Sequence, residues 1–246
     1  QRVNDSLLEE MARRLVQVFK PEQVILFGSH AWGTPDKFSD VDLMVVVGQS
    51  DLSDYDRAVL AYACLSGVDV PKDVIVRTRA EFDFFSSVRA SLEHKIARRG
   101  KVLYDEAKKQ LVQSWLIKAQ HDLASAEVLS QSLLPLLDTA VYHCQQAAEK
   151  SVKGYLAFCD HEFERVHDVE ALIRAATTYE PRFKQYEQSG RLLTPHSRIF
   201  RYPGVTLHPE DSQFDQAFIA ASEVYEFVLS VLPIDVHPVP LQKRTG

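Results

Sequence analysis

The chain has 246 residues, of which 46% are hydrophobic and 25% are charged, so it is long enough for one large domain or two ordinary ones. Its 34 acidic and 28 basic residues give a net charge of −6, which argues against broad non-specific nucleic-acid binding but allows a local basic patch. No segment reaches the ~20 apolar residues of a membrane-spanning helix, and the N-terminus lacks the pattern of a signal peptide, so we expect a soluble cytoplasmic protein without a membrane partner.

The first part of the chain predicts a helix followed by strands. Apolar residues lie at helical spacing from Leu8 to Phe19, and Ser6 and Glu9 have the spacing of a capping box, which predicts a helix over residues 6 to 19. Short apolar runs bounded by turn residues then predict three strands, at residues 24 to 27, 42 to 47 and 74 to 76.

Two further helices and an edge strand complete this half. Apolar residues at helical spacing predict a helix packed on the sheet through Leu52, Tyr55, Val59, Tyr62 and Ala63. Thr78 and Glu81 predict the start of another helix that runs to a stop at Gly100, with apolar positions at Phe82, Phe85, Val88, Leu92 and Ile96. Residues 102 to 104 predict an edge strand. Alternating helices and strands indicate an α+β domain with a mixed sheet.

After about residue 105 the strand-like runs almost vanish and helical patterns continue. Amphipathic spacing predicts helices at residues 111 to 129, 141 to 156, 169 to 176 and 212 to 232. Because the connections are short, an all-α antiparallel helical bundle is the expected packing. We therefore predict an α+β domain at residues 1 to 107, a helical bundle at 108 to 235, and a loose tail at 236 to 246.

Two aspartates, Asp40 and Asp42, interrupt the apolar pattern at the start of the second predicted strand. Side chains alternate along a strand, so the two carboxylates should point the same way, ~7 Å apart. Metal ions in two-metal sites lie ~4 Å apart, within reach of both groups. Oxygen ligands of this kind favour Mg²⁺, with Mn²⁺ as a substitute.

Other residues can complete such a site. Asp73 opens the third predicted strand and would supply a third carboxylate, with Asp69 the weaker candidate. Gly28 and Ser29 follow the first strand, where a glycine lets backbone N–H groups and the Ser29 hydroxyl approach a triphosphate. Each of these motifs, taken alone, is typical of a turn or a helix cap. Their combination is more specific, because adjacent like charges beside an apolar strand are costly unless a cation binds.

These motifs resemble the DNA polymerase β-like nucleotidyltransferase superfamily in its minimal (MNT) form. The resemblance rests on two stretches and a later strand, Gly28-Ser29-His30-Ala31-Trp32-Gly33, Ser39-Asp40-Val41-Asp42-Leu43 and Asp73-Val74-Ile75-Val76. It implies transfer of a nucleoside monophosphate to a hydroxyl, with two Mg²⁺ ions. By position, Gly28 and Ser29 hold the nucleotide together with Asp40 and Asp42. Asp40, Asp42 and Asp73 bind metal and act in catalysis, and Asp73 is a candidate for the base. His30 and Trp32 receive no role, although stacking of Trp32 on a base is an alternative.

The second half resembles the HEPN domain, a helical module often fused to MNT domains. The resemblance rests on Tyr142-His143-Cys144-Gln145-Gln146-Ala147-Ala148-Glu149-Lys150, Lys153, His167-Asp168-Val169 and Arg201-Tyr202-Pro203-Gly204. Many HEPN domains are ribonucleases that use an arginine followed closely by a histidine, and here Arg201 and His208 have six residues between them. A connector entering the last helix is the simpler interpretation of that segment. Likewise, Glu149, Lys150 and Lys153 are expected on a solvated helix face.

The leading functional hypothesis is an Mg²⁺-dependent nucleotidyltransferase that uses ATP or another nucleoside triphosphate. The resemblance implies that the HEPN domain forms part of the acceptor site or a dimer surface, and the acceptor is an aminoglycoside-like small molecule or a protein. A homodimer is expected from the apolar surface of the long helices. The alternatives are a HEPN ribonuclease or RNA-binding protein of the toxin–antitoxin type, regulated by its MNT domain, and a nucleotide-sensing interaction protein. RNA is the less favoured partner.

Overall fold

The computed structural model describes residues 3–36, 39–163, 167–197 and 209–241. The chain divides into two compact units, Gln1–Ala107 and Lys108–Gly246. In the described ranges, every helix is too short or too polar to cross a bilayer.

The first unit is built on a four-stranded sheet in the order β3-β2-β1-β4. Its strands are β1 (Gln23–Phe27), β2 (Val41–Val47), β3 (Lys72–Thr78) and β4 (Lys101–Asp105). Strand β1 pairs antiparallel with β2 and β4, whereas β2 and β3 are parallel, so the predicted mixed sheet is confirmed. The helices of this unit are α1 (Asp5–Phe19), α2 (Ser29–Trp32), α3 (Asp54–Cys64), α4 (Arg79–Ser86) and α5 (Leu92–Arg99).

Alternation along the strands divides the core into two layers. On one face of the sheet, Leu26, Leu43 and Val45 cluster with residues of α1 and α3, among them Leu15 and Ala61. On the other face a smaller cluster joins the sheet to α4 and α5, formed by Ile25, Phe27, Met44, Val46, Phe82 and Ile96. Both faces are covered, which explains why the strands read as continuous apolar runs.

The first residues of the helices in this unit follow the capping rules, but one predicted cap is wrong. Thr78 and Glu81 form the predicted capping box of α4. The prediction that Ser6 caps α1 is wrong, because Asn4 is the N-cap and its side chain accepts a hydrogen bond from the Leu7 amide. Asn4 has an extended backbone, and its amide oxygen binds one of the free N–H groups of the first turn as a serine hydroxyl would.

The single helix predicted between Thr78 and Gly100 is divided in two. Helix α4 ends at Ser86, and Ser91 caps α5 by accepting a hydrogen bond from the His94 amide. The Ser91 hydroxyl also donates to the Phe85 carbonyl, so short polar side chains take over backbone groups that a continuous helix would use. Consequently three of the residues predicted to face the core are exposed, at 37% for Phe85, 48% for Val88 and 41% for Leu92.

The predicted buried face of α3 is also wrong. The residues expected to pack on the sheet are exposed, and the clearest case is Tyr55 at 76%. The buried positions are Arg57 and Ala61. Arg57 can occupy the core side because its guanidinium pairs with Asp54 and Glu81, and a buried cation is tolerated when it is paired and hydrogen-bonded.

The second unit is helical, as predicted. Its helices are α6 (Glu106–Ser130), which begins in the first unit, α7 (Leu137–Phe158), α8 (Val169–Thr177), α9 (Glu187–Leu193) and α10 (Asp211–Val231). Helices α6 and α7 are antiparallel, because Gly154 lies against Leu116 while His143 reaches Asp122. Helix α9 and the 3₁₀ turn Pro181–Tyr186 were not predicted, since neither is long enough to show a periodic apolar pattern.

Candidate functional site

Gly28 brings the end of β1 into contact with a carboxylate. Its φ of 69° is in the left-handed region, and its carbonyl accepts hydrogen bonds from the amides of Ala31 and Trp32. The predicted tight turn is thus the single helical turn α2. A Cβ at Gly28 would lie 1.8 Å from Asp42 Oδ2, so no other residue fits between this backbone and that carboxylate.

The strand register places Asp42 and Asp73 side by side. Asp42 in β2 is paired with Phe27 of β1 on one side and with Asp73 of β3 on the other. Neighbouring strands lie ~4.8 Å apart, and residues in register share a face of the sheet. Asp42 lies on the same face of β2 as Met44 and Val46, which is the face covered by α4 and α5. Because Asp73 is in register with Asp42, both carboxylates lie on this face. They lie at the open end of that apolar cluster, where Asp73 is exposed.

The half-buried Asp42 has an unfavourable electrostatic environment for a carboxylate. Burial raises the pKa of Asp42, and the negative charges of Asp73 and Asp40 raise it further, while His30 acts in the opposite direction. The ionised side chain is therefore partly desolvated and faces like charges. A bound cation would relieve both effects.

Asp40 lies just outside the ladder of β2. The sequence predicted both aspartates on the strand, but β2 begins at Val41, whose amide donates to the Pro71 carbonyl, and Asp40 is exposed before it. His30 holds this segment through a contact of 3.3 Å between its Nε2 and the Ser39 carbonyl oxygen. Across the described residues, no three acidic, histidine or cysteine side chains form a preassembled metal cluster.

Tyr62 lies next to the candidate site, although the sequence pattern predicted that this residue packs in the core. Its hydroxyl donates a hydrogen bond of 3.0 Å to Asp73 Oδ1. The side chain is 42% exposed and lies on the outer face of α3, beside the sheet edge at β3. The only signal in the sequence was its position on a helix next to the predicted strand, which does not distinguish a hydrogen-bonding role from a packing role.

Trp32, which received no role, has two cations close to its ring. Lys95 Nζ lies 4.9 Å and the Arg99 guanidinium 5.8 Å from the centre of its ring. The ring of Phe27 lies 6.3 Å away and joins Trp32 to the apolar layer beneath α5.

The expectation of a solvated face at Glu149 and Lys153 is wrong. Glu149 is 3% exposed and Lys153 is 6% exposed, and Lys153 Nζ donates to Glu149 Oε1 at 2.7 Å. Gln145 is fully buried and donates to Glu149 Oε2, and His167 also contacts this carboxylate. The charges are buried because each has a partner, which a residue pattern alone does not reveal.

A second buried carboxylate lies between α6 and α7. Asp122 pairs with Lys150 and with His143, whose Nδ1 is 2.8 Å from Asp122 Oδ1. The predicted ribonuclease residues, Arg201 and His208, fall outside the described residues.

Two family models match the two units of the chain, one for each unit. A family model described as a nucleotidyltransferase domain matches residues 8–98, and one described as a HEPN domain matches residues 112–231. A crystal structure of an archaeal HEPN homologue is 26% identical, with a TM-score of 0.39, over 48% of this chain and 95% of that chain. A nucleotidyltransferase-like protein from Exiguobacterium sibiricum is 11% identical, with a TM-score of 0.34, over 91% of this chain and 76% of that chain. A comparison of this chain with curated proteins found no match.

Proposed function

Because the chain joins a nucleotidyltransferase domain to a HEPN domain, as its motifs predicted, we propose that it transfers a nucleoside monophosphate, AMP from ATP, to a hydroxyl acceptor. The observation that supports this proposal best is the convergence at Asp42. The backbone of Gly28 meets its carboxylate so closely that a Cβ is excluded, and Asp73 lies in register beside it. Such an arrangement gives a triphosphate a backbone surface next to carboxylates.

The residues fit divalent cations. Asp40, Asp42 and Asp73 are oxygen donors only, which suits Mg²⁺ and allows Mn²⁺ as a substitute. The raised pKa of Asp42, caused by burial and by the two other aspartates, indicates negative charge that lacks compensation. We propose that these aspartates hold two Mg²⁺ ions. When bound, such ions neutralise the charge that develops on the phosphates.

The residues of the chain then have separate tasks. The Gly28 backbone and the Ser29 hydroxyl bind the triphosphate. The acceptor oxygen forms a bond to the α-phosphorus while the bond from that phosphorus to the bridging oxygen breaks, and pyrophosphate leaves with the electron pair. The proton of the acceptor hydroxyl passes to Asp73, which is the proposed base because it is exposed at the start of β3.

For the acceptor, we propose a chemical class of molecule. An aminoglycoside-like molecule offers hydroxyls and ammonium groups, and the net charge of −6 favours a cationic acceptor over an anionic one. A hydroxyl of a protein is the other candidate. Incubation of the protein with Mg²⁺-ATP and mixed acceptors, followed by mass spectrometry, would show adenylylation as the mass of an added AMP.

The activity itself is tested with labelled ATP and Mg²⁺. We expect Asp40→Asn and Asp42→Asn to lower the rate of AMP transfer by at least about 100-fold, the scale of losing one group that stabilises the transition state. Asp51→Asn is the matched control, since Asp51 is exposed in the same unit. A wild-type protein that binds no nucleotide would rule out the proposal.

The ribonuclease alternative gains no support from the described residues, because Arg201 and His208 lie outside them. It stays a prediction, checked by RNA cleavage with Arg201→Ala and His208→Ala. Unchanged cleavage in both variants would remove the motif from consideration.

A further inference from the structure

We propose that Lys95 and Arg99, gathered on Trp32, form the basic side of the triphosphate site and bind the β- and γ-phosphates and the pyrophosphate product. The inference rests on the proposed function, because it takes the site at Gly28 and Asp42 to be the nucleotide site. It adds a phosphate-binding group from α5, which lies outside the sequence motifs.

Trp32 links these two cations to the residues proposed to bind the nucleotide. Trp32 belongs to the same helical turn as Ser29, and its amide donates to the Gly28 carbonyl at 3.1 Å. One turn of helix rises ~5.4 Å, so the tryptophan is a near neighbour of the residues proposed to meet phosphate. Lys95 and Arg99 are four residues apart on α5 and therefore lie on one side of that helix, facing Trp32.

The charges of Lys95 and Arg99 are uncompensated. In the part of the chain that the structure describes, neither side chain forms an ion pair with a carboxylate. Three other cations of this unit, Arg57, Arg77 and Arg79, each pair with acidic residues. Two like charges held together on one aromatic ring repel each other, and an anion between them would turn that repulsion into charge-assisted hydrogen bonding.

The ligand of this cluster is a polyphosphate and not a base. The alternative role of Trp32, stacking on the nucleobase, needs a free aromatic face, and here cations lie over the ring and Phe27 lies beside it. Trp32 is thus a positioning residue that orients two cations. With aspartates at the starts of β2 and β3 and cations on α5, the site offers charges complementary to both the metal ions and the phosphates of a metal-bound triphosphate.

Binding measurements on the full-length chain test the inference. The variants are Lys95→Gln, Arg99→Gln and the double variant, titrated calorimetrically with ATP, inorganic tripolyphosphate and adenosine in the presence of Mg²⁺. We expect each single variant to weaken ATP and tripolyphosphate binding by about tenfold, the scale of one lost hydrogen bond to a charged group, and the double variant to weaken it further. Adenosine binding should not change.

Two control variants separate this role from simpler ones. Arg98→Gln removes the same charge from the same last turn of α5, where a cation also interacts with the helix carbonyls, but Arg98 makes no ring contact with Trp32. It should bind tripolyphosphate within about twofold of wild type. Trp32→Leu should weaken tripolyphosphate binding, and Trp32→Phe should restore part of it because an aromatic face remains.

The outcomes distinguish the inference from the proposed function. If wild type binds tripolyphosphate through Lys95 and Arg99 but transfers no AMP, the phosphate site stands and the proposed function fails. If wild type transfers AMP and the double variant keeps both the KM for ATP and the tripolyphosphate affinity, the inference is wrong and the proposed function stands. Loss of adenosine binding in Trp32→Leu, or absence of tripolyphosphate binding by wild type, would also overturn it.

Discussion

At the scale of single residues, the absence of a side chain at Gly28 lets the backbone approach the Asp42 carboxylate closely. Gly28→Ala would place a Cβ 1.8 Å from Asp42 Oδ2, at a φ of 69° that side chains rarely adopt. We expect the variant to lose nucleotide binding, because Asp42 must move, and to lose about 1–3 kcal/mol of unfolding free energy from the strained backbone. Calorimetric titration with Mg²⁺-ATP and urea denaturation measure the two effects.

Gly67 provides the control for this substitution. It also has a left-handed φ, of 80°, but a Cβ there meets nothing within 4 Å. Gly67→Ala should lose about 1 kcal/mol and keep wild-type nucleotide affinity. Equal affinity in both variants would contradict the role assigned to the contact between Gly28 and Asp42.

Tyr62 is the second residue whose role follows from a single contact. Its hydroxyl donates to Asp73 Oδ1, so Tyr62→Phe frees the carboxylate to rotate. We expect kcat for AMP transfer to fall by about 5- to 10-fold, the scale of one net hydrogen bond, with little change in the KM for ATP. Tyr55→Phe on the same helix, at 76% exposure, should leave both constants unchanged. A wild-type kcat in Tyr62→Phe would remove the tyrosine from the site.

At the scale of elements, the junction of α3 and α4 depends on one carboxylate. Hydrogen bonds from Arg57, together with those from the capping box, lower the pKa of Glu81 to about 2. Its ordinary value is higher, so the stabilisation is complete above about pH 4.5 and is lost as the pH falls toward 2. Arg57 is a buried cation that needs this partner.

Glu81→Gln tests that junction, because glutamine preserves the capping box and removes the charge. The unfolding free energy of wild type should decrease between pH 4.5 and the lowest pH at which the protein remains folded. The variant should be less stable at pH 7 and show a shallower decrease. Glu9→Gln, exposed on α1, should follow wild type. Parallel pH profiles for wild type and Glu81→Gln would contradict the assignment.

Helix α7 contains a buried ion pair within one turn. Lys153→Met leaves Glu149 buried without its cation, and we expect a loss of about 3 kcal/mol in unfolding free energy, measured by urea denaturation. The double variant Glu149→Gln/Lys153→Met should lose less, because no unpaired charge remains. Lys118→Met, at an exposed position of α6, should change stability by less than about 0.5 kcal/mol. A single variant as stable as this control would contradict a buried pair.

At the scale of the whole molecule, the long helices leave apolar side chains in contact with solvent. On α6, Leu111 is 52% and Val128 is 68% exposed. We predict a homodimer, observable by sedimentation velocity over a range of protein concentrations, and weaker association in Leu111→Asp and Val128→Asp. A monomer at every concentration would disprove the prediction.

The periodic apolar patterns by themselves determined the architecture, and the polar motifs carried the two family resemblances. Strands β1, β2 and β3 and the long helices α6, α7 and α10 were predictable because burial on a sheet or in a bundle repeats at a fixed period. Gly28, Asp42 and Asp73 could be chosen as candidate site residues because a glycine and charges interrupt such patterns. Residues recognised in this way needed only local information.

Only the tertiary structure decided which polar residues are buried and which aromatic residues are exposed. Arg57, Glu149 and Lys153 are buried because partners from other turns or elements neutralise them. Contacts between different elements bring Tyr62 to Asp73 and bring Lys95 and Arg99 to the ring of Trp32. The energy of a charge depends on its neighbours in space, and these are set by strand register and helix packing, which the order of residues along the chain does not display.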